Sequence, residues 1–356
     1  MKTKPHSNQL RIGYFIKSIV NLSLIGLGLG VILGTLLTFI SPEENTSKSN
    51  KLSPFSRKSI ARKRNQKKST ITFGEYKQSQ EIIPLSKKWK ELADEYKDLE
   101  VSAYILFEDG RYAQFNAEKS LPSASTIKIA ILFLSLEMLD DGKLRWDEEI
   151  ELTKESIAKG AGWMRYQSLG KKFPIHEITT EMIRVSDNTA ANLLIERVGG
   201  LDILNKRFKE LGLMQTEINS LLPDLSGTNK TSAKDLSKIM KLVDVSGLLS
   251  TKSRDIFREV MSTSISNNLL PEGILKGLGV YKGNSDYKLL IEGFRVYNKA
   301  GDIGIAYGDA ALIEMPNSSR AVTALLVKGP FNDQRSTNLI RDMAAQIISY
   351  INSESR

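Results

Sequence analysis

The sequence predicts an α/β fold of the α+β kind: a mixed, mainly antiparallel sheet formed by both ends of a globular region, flanked by helices and carrying an inserted all-α subdomain. Three observations predict it. Strand-like runs sit at the two ends, within 101–115 and 294–327. The stretch between them is written mostly in helical periodicity. Asp109-Gly110 separates two short apolar runs, the hairpin signal that starts the sheet antiparallel. No internal repeat is present, and strands at both ends with helices between them imply one sheet closed by both ends with a helical subdomain inserted.

The elements follow in order. Residues 1–17 form a short polar tail, expected to be cytoplasmic. Residues 18–40 carry no charge and are rich in Leu, Ile, Val and Gly. As a helix they would span roughly 35 Å, enough for a hydrocarbon core of about 30 Å. The run is longer than a signal-peptide core and no small-x-small cleavage site follows it, so an uncleaved anchor is expected. Gly26, Gly30 and Gly34 share one face of that helix, a GxxxG pattern or simply the glycine usual in membrane helices. Residues 41–80 are poor in large apolar side chains and read as a basic disordered stalk. Within it, 57–68 is dense in Lys and Arg, a candidate contact for anionic lipid or a polyanionic wall polymer, or a merely solvated segment.

The globular region begins near 81. Leu85–Tyr96 is predicted helical, then strands Val101–Phe107 and Tyr112–Phe115. A long apolar helix runs from Ser125 to Leu139 and stops at Asp140-Asp141-Gly142. Residues 150–212 are predicted mainly helical, including Glu177–Val185 and Ala190–Val198, the latter closed by Gly199-Gly200. Helices Ala233–Val243 and Ser253–Met261 precede strands Phe294–Lys299, Ala310–Met315 and Val322–Val327. Ser336–Ile351 is the last helix.

Composition excludes several chemistries. The chain has 356 residues, 50 Lys+Arg against 41 Asp+Glu, two His and no Cys. Without Cys there is no disulfide framework, thiol nucleophile or Cys-ligated metal, and no cofactor or metal is expected. His6 lies in the tail, leaving His176 alone, so hydrolytic chemistry must find a base other than imidazole. The net charge of +9 is concentrated in residues 1–80, which hold 14 Lys+Arg and 3 acidic residues. The remainder is close to neutral, so no nucleic-acid partner is expected.

Ser125-Thr126-Ile127-Lys128 is an S-x-x-K at the start of the apolar helix. At i, i+3 the lysine lies beside the serine hydroxyl, and burial with a second cation nearby would turn it into a base. Three more such spacings, Ser156…Lys159, Ser168…Lys171 and Ser285…Lys288, carry no further signal. The first has company: Ser186-Asp187-Asn188 lies 61 residues on, in a turn between helices, and Lys299-Ala300-Gly301 lies 174 residues on, on a predicted strand.

This three-part series, with Pro122-Ser123-Ala124 before the first serine and Thr189-Ala190-Ala191-Asn192-Leu193-Leu194 after the asparagine, resembles the class A β-lactamases and other penicillin-recognising serine hydrolases. The likeness covers about 90–350 and implies a β-lactamase/DD-peptidase-like fold. It implies Ser125 as acylated nucleophile, Lys128 as its base, Ser186 as relay to the leaving nitrogen and Lys299 as source of positive charge. Asn188, Gly301 and Asp302 would bind substrate, and the backbone N–H groups of Ser125 and Asp302 would form the oxyanion hole, such donors contributing about 3–4 kcal/mol each. Asp187 would point inward and hold the turn. Trp163 would either wall the cleft or belong to the core.

Two positions depart from that family. Its deacylating loop glutamate is missing: Leu222 falls in its register, within a loop that is several residues short, and Glu217 and Asp224 are the nearest carboxylates. Ala300 replaces the usual Thr or Ser, removing a hydroxyl donor to a substrate carboxylate. The expected protein is a membrane-anchored, extracytoplasmic serine hydrolase acylated by β-lactams or D-Ala-D-Ala-like peptides, with slow deacylation. A low-activity DD-peptidase and a non-catalytic wall-binding scaffold are the alternatives. A sensor is disfavoured by the short segment before the anchor.

Overall fold

The computed structural model describes residues 76–245, 247–280 and 285–354. The predicted tail, the span 18–40 with its glycine pattern and the stalk as far as residue 75 lie outside the described residues. Among the described residues no helix is long and apolar enough to cross a membrane.

The expected sheet is present. Strands β1 (Glu100–Phe107), β2 (Tyr112–Phe115), β7 (Arg295–Asp302), β8 (Ala306–Glu314) and β9 (Arg320–Lys328) form one antiparallel sheet in the order β2-β1-β9-β8-β7. The first and last strands of the domain meet where β1 pairs with β9, Tyr104 opposite Ala324. Both faces are covered, so the central strands are buried along nearly their whole length instead of alternating with polar residues. Val101, Ala103 and Ile105 face helices α1 (Ile83–Asp94), α8 (Leu270–Gly277) and α10 (Gln334–Glu354). Tyr104, Leu106 and Leu326 face the other core, which α2 (Lys128–Asp140) and α6 (Ala233–Asp244) cover. Trp89 pins α1 to α10, fully buried with its indole N–H donating to the Met343 carbonyl at 2.8 Å.

The inserted subdomain holds α3 (Ile175–Arg184), α4 (Asn188–Arg197), α5 (Leu201–Glu210) and α7 (Thr251–Ser262) around α2. Residues Lys128 to Leu136 of α2 are all buried, as a helix apolar on every side must be. Four differences from the predicted elements matter. Residues 150–174 are mostly non-helical: β4 (Glu149–Glu151) pairs with β5 (Lys172–Pro174), and a 3-10 turn lies at Met164–Tyr166 between them. Glycines at 160, 162 and 170, all with positive φ, break any helical continuation there. Helices α8 and α9 (Ser285–Ile291) were not predicted, being too short for periodicity to single out. The predicted helix starting at Ser125 begins instead as a 3-10 turn, Ala124–Ile127.

The fourth concerns the stalk. Its last residues, 76–80, belong to the folded domain. Tyr76 is fully buried, its hydroxyl donates to Asp244 at 2.9 Å, and Ser79 N–H donates to the Gly110 carbonyl at 2.8 Å. Local composition hides this because the partner of Tyr76 lies 168 residues away.

Candidate active site

The nucleophile element starts with two-residue strand β3 (Leu121–Pro122), paired with β6 (Lys230–Thr231), and Ser123 N–H donates to the Asn229 carbonyl at 2.8 Å. The chain then turns sharply. Ala124 has φ +46, and the 3-10 turn delivers Ser125 immediately before Lys128 opens α2. A non-glycine residue in the left-handed region is strained and persists only where its surroundings hold it. From the other side β7 comes so close that a Cβ on Gly301 would stand 2.6 Å from the Ser125 nitrogen. Only glycine fits there, and the backbone of Asp302 follows directly.

Lys128 is the hub. Its Nζ lies 3.2 Å from Ser125 Oγ, 3.0 Å from Ser186 Oγ, 2.6 Å from the Ser186 carbonyl and 2.8 Å from Asn188 Oδ1. Ser186 Oγ donates to Ser125 Oγ at 2.9 Å. An ammonium has three hydrogens for these four oxygens, so the longest contact, to Ser125, is the one open to reversal. A neutral amine there accepts the serine proton.

Electrostatics favour the neutral amine. Lys128 is completely buried, and loss of hydration together with the nearby Lys299 charge pushes it well below the usual lysine range, against a smaller opposing pull from Asp187. Lys299 is also fully buried, which lowers it to about 8; Asp309 acts against that. Its ammonium donates to the Ala300 carbonyl at 2.6 Å. His176 is exposed and tilts against Trp146 at 6.4 Å.

The Ser186-Asp187-Asn188 turn is held from within. Ser186 has φ +59. Asp187 caps α4, accepting from Ala190 N–H at 3.0 Å, and also takes the N–H groups of Trp163 and Met164 at 2.7 and 2.9 Å. It points inward, as expected from sequence. Asn188 donates its amide to the Lys159 carbonyl at 3.0 Å while its oxygen faces Lys128. Trp163 is half-buried: it packs edge-on against Phe173 and donates its indole N–H to Glu181 at 2.6 Å.

The loop with the missing glutamate borders this site. Pro223 lies 3.9 Å, and the Asn188 amide nitrogen 2.9 Å, from where a Cβ on Gly160 would be. Leu222 is buried, and its N–H and carbonyl are clamped by Asn192 at 2.9 and 2.8 Å. Asp224 is committed to Thr228 and to the Asn229 N–H, and Glu217 is exposed. Of the other S-x-x-K serines, Ser156 bonds locally to Thr153. Among the described residues no cluster suits a metal ion.

Sequence reasoning missed Glu181, Asn192 and Asp309. Asn192 lies within the quoted Thr189–Leu194 run, so its signal was present. Glu181 and Asp309 sit inside regular elements, where nothing local distinguishes a buried carboxylate from a solvated one.

The profile of the Beta-lactamase enzyme family matches residues 84–351. Among curated relatives, β-lactamase BRO-1 of Moraxella catarrhalis is 27% identical over 257 residues, 70% of this chain and 76% of that protein. β-Lactamase ROB-1 of Haemophilus influenzae is 24% identical over 247 residues, 67% and 75%. Among solved structures, PBP-A is similar with TM-score 0.71 at 33% identity, covering 78% of this chain and 98% of that one. A leucine-to-glutamate mutant of PBP-A was solved as an acyl-enzyme complex with penicillin G. The Francisella tularensis β-lactamase, at 23% identity and TM-score 0.65, shares the fold. Profile, relatives and fold agree with the Ser125–Lys128–Ser186 geometry: the chain belongs to the β-lactamase enzyme family, as a class A-like serine hydrolase.

Proposed function

We propose that this protein is a membrane-anchored, extracytoplasmic serine hydrolase that is acylated on Ser125 by β-lactams or D-Ala-D-Ala-like amides and releases the acyl group slowly. The observation that carries the reading is the pairing of a complete acylation cluster with a leucine where a deacylating base would stand.

Acylation uses groups already in contact. Ser125 Oγ attacks the amide carbonyl carbon as its proton passes to Lys128, and the oxyanion is taken up by the backbone N–H groups of Ser125 and Asp302. The proton then moves through Ser186 to the leaving nitrogen, the C–N bond breaks, and an ester on Ser125 remains. Asn188 holds the amide side chain of the substrate, and Lys299 supplies positive charge to Ser186 and to a substrate carboxylate.

Hydrolysis of that ester needs a base to activate water. Leu222 cannot accept a proton, and the nearest loop carboxylate, Asp224, is bound up in its own loop. The PBP-A acyl-enzyme with penicillin G supports acylation by a β-lactam in a chain of this fold. Ala300, lacking a hydroxyl, would weaken carboxylate recognition by roughly 1–3 kcal/mol, which fits weak activity or a different amide or ester as the preferred substrate.

The uncharged run 18–40 supports a single membrane crossing, and the class of substrate, not the flanking charge, puts the N-terminus on the cytoplasmic side. The basic segment 57–68 would then lie close to anionic lipid or wall polymer. Labelling with a fluorescent penicillin tests the reading. A band that survives denaturation in the parent and vanishes in Ser125→Ala supports it, and an unlabelled parent overturns it.

A further inference from the structure

Glu181 lies on α3, one turn before Ser186, and is 7% exposed. A carboxylate so buried is rare unless it is paired. It takes three donors: the Trp163 indole N–H at 2.6 Å, Arg184 Nε at 2.7 Å and Arg184 Nη2 at 2.6 Å. Burial alone would raise it, but the Arg184 and Trp163 hydrogen bonds outweigh that and keep it ionised. Its main-chain carbonyl accepts from Asp187 N–H at 3.1 Å, and Asp187 accepts from Trp163 N–H at 2.7 Å. Glu181, Trp163 and Asp187 therefore form a closed ring of three hydrogen bonds, each residue joined to the other two.

The ring abuts the chemistry. Asn188 follows Asp187, and its N–H donates to the Ala161 carbonyl at 3.1 Å while its oxygen meets Lys128. The 159–164 loop is thus stitched to the Ser186-Asp187-Asn188 turn by the Asp187 and Asn188 side chains, and Glu181 adds a tie from α3 through the Trp163 indole. Ser186, in a left-handed conformation, depends on such support.

We propose that Glu181 is a positioning residue for acylation: through the Trp163 indole it fixes the 159–164 loop against the serine-asparagine turn, and so sets where Ser186 and Asn188 meet Lys128 and the substrate. The inference rests on the reading that Ser125 is acylated. Displacements of about 1 Å in such a constellation cost up to about 100-fold in rate. Releasing the indole is therefore expected to slow acylation roughly tenfold or more, without changing hydrolysis of the acyl-enzyme.

Three variants of the full chain test this: Glu181→Ala, Glu181→Gln and Trp163→Phe. The rate of adduct formation with penicillin is expected to fall in Glu181→Ala and in Trp163→Phe, with the double variant no slower than either. Glu181→Gln keeps an acceptor for the indole and should restore most of the rate. The emission of Trp163, obtained by difference against Trp163→Phe, should shift in Glu181→Ala and return in Glu181→Gln.

A purely structural role would lower the melting temperature and leave the acylation rate and its glutamine rescue unmoved. Parent-like rates in Glu181→Ala and Trp163→Phe overturn the proposal. If Glu181→Ala does not fold, Trp163→Phe decides alone, because it leaves the Glu181–Arg184 pair in place. A parent that forms no adduct removes the functional reading itself. A parent that reacts alongside equally reactive variants removes only this inference.

Discussion

At the scale of single residues the site is a problem in charge. Two lysines are buried without a neighbouring carboxylate in hydrogen-bond contact, and burial makes both protons easier to remove, with the Lys299 charge adding to the effect on Lys128. Lys299 titrates at about 8 and lowers Lys128. The acylation rate should therefore rise with pH as Lys128 becomes neutral, well below the range of a free lysine, and fall again near pH 8 as Lys299 loses its charge. Lys299→Ala should remove the alkaline fall. It should also move the rising limb upward, because the cation that lowers Lys128 has gone; pH profiles of acylation in both proteins check this. The chemistry of Ser125 and Lys128 was legible once their spacing was joined by the Ser186-Asp187-Asn188 and Lys299-Ala300-Gly301 motifs. The strain at Ala124 and Ser186 was not, since neither alanine nor serine advertises a positive φ.

At the scale of elements, short connections decide what the site can do. The sequence placed helices well where apolar periodicity was long, as in α2 and α6, and failed over 150–174, where turns and two short strands build the wall that carries Trp163. The Leu222 loop is the clearest case of a connection with a function. Its backbone is fixed by Asn192, so the side chain can change with the frame retained. Leu222→Glu should shorten the lifetime of the penicillin adduct at least tenfold with little effect on its formation, measured by following release of the bound drug. A glutamate variant with the parent's adduct lifetime would contradict that assignment.

A second element-scale prediction concerns the junction of β7, β8 and α8. Asp309 is buried there, accepting from Asn298 and from the Leu270 N–H, and burial raises it from 3.8 to about 7. Between about pH 4 and pH 7 the folded protein holds a proton that the unfolded chain has released, so this group's contribution to stability declines as pH rises through that window. Asp309→Asn should remove the decline, leaving the variant more stable than the parent by a few kcal/mol at pH 8 and similar to it below pH 4. Urea midpoints at the two pH values measure this difference.

At the scale of the whole domain, strands from its two ends close one sheet, and residues 76–80 are rooted in the same body. Asp244 is the root: its carboxylate receives Tyr76, Arg258 and Arg320, from three separate parts of the sequence. Tyr76→Phe deletes one of these donors to a buried carboxylate and should cost about 1–3 kcal/mol, read as a lower denaturant midpoint with an unchanged acylation rate. That both ends of the domain close one sheet was legible because strands cluster there. The domain's true beginning was not, because Tyr76 sits in polar sequence and its reason for burial is remote. The central claim, acylation on Ser125 followed by slow release, is tested most directly by the intact mass of the protein over time after a single addition of penicillin. The account predicts a one-equivalent adduct that forms, persists while free drug remains unhydrolysed, and is absent in Ser125→Ala. Rapid turnover of the drug with no accumulating adduct, or an adduct that survives the loss of Ser125, would contradict it.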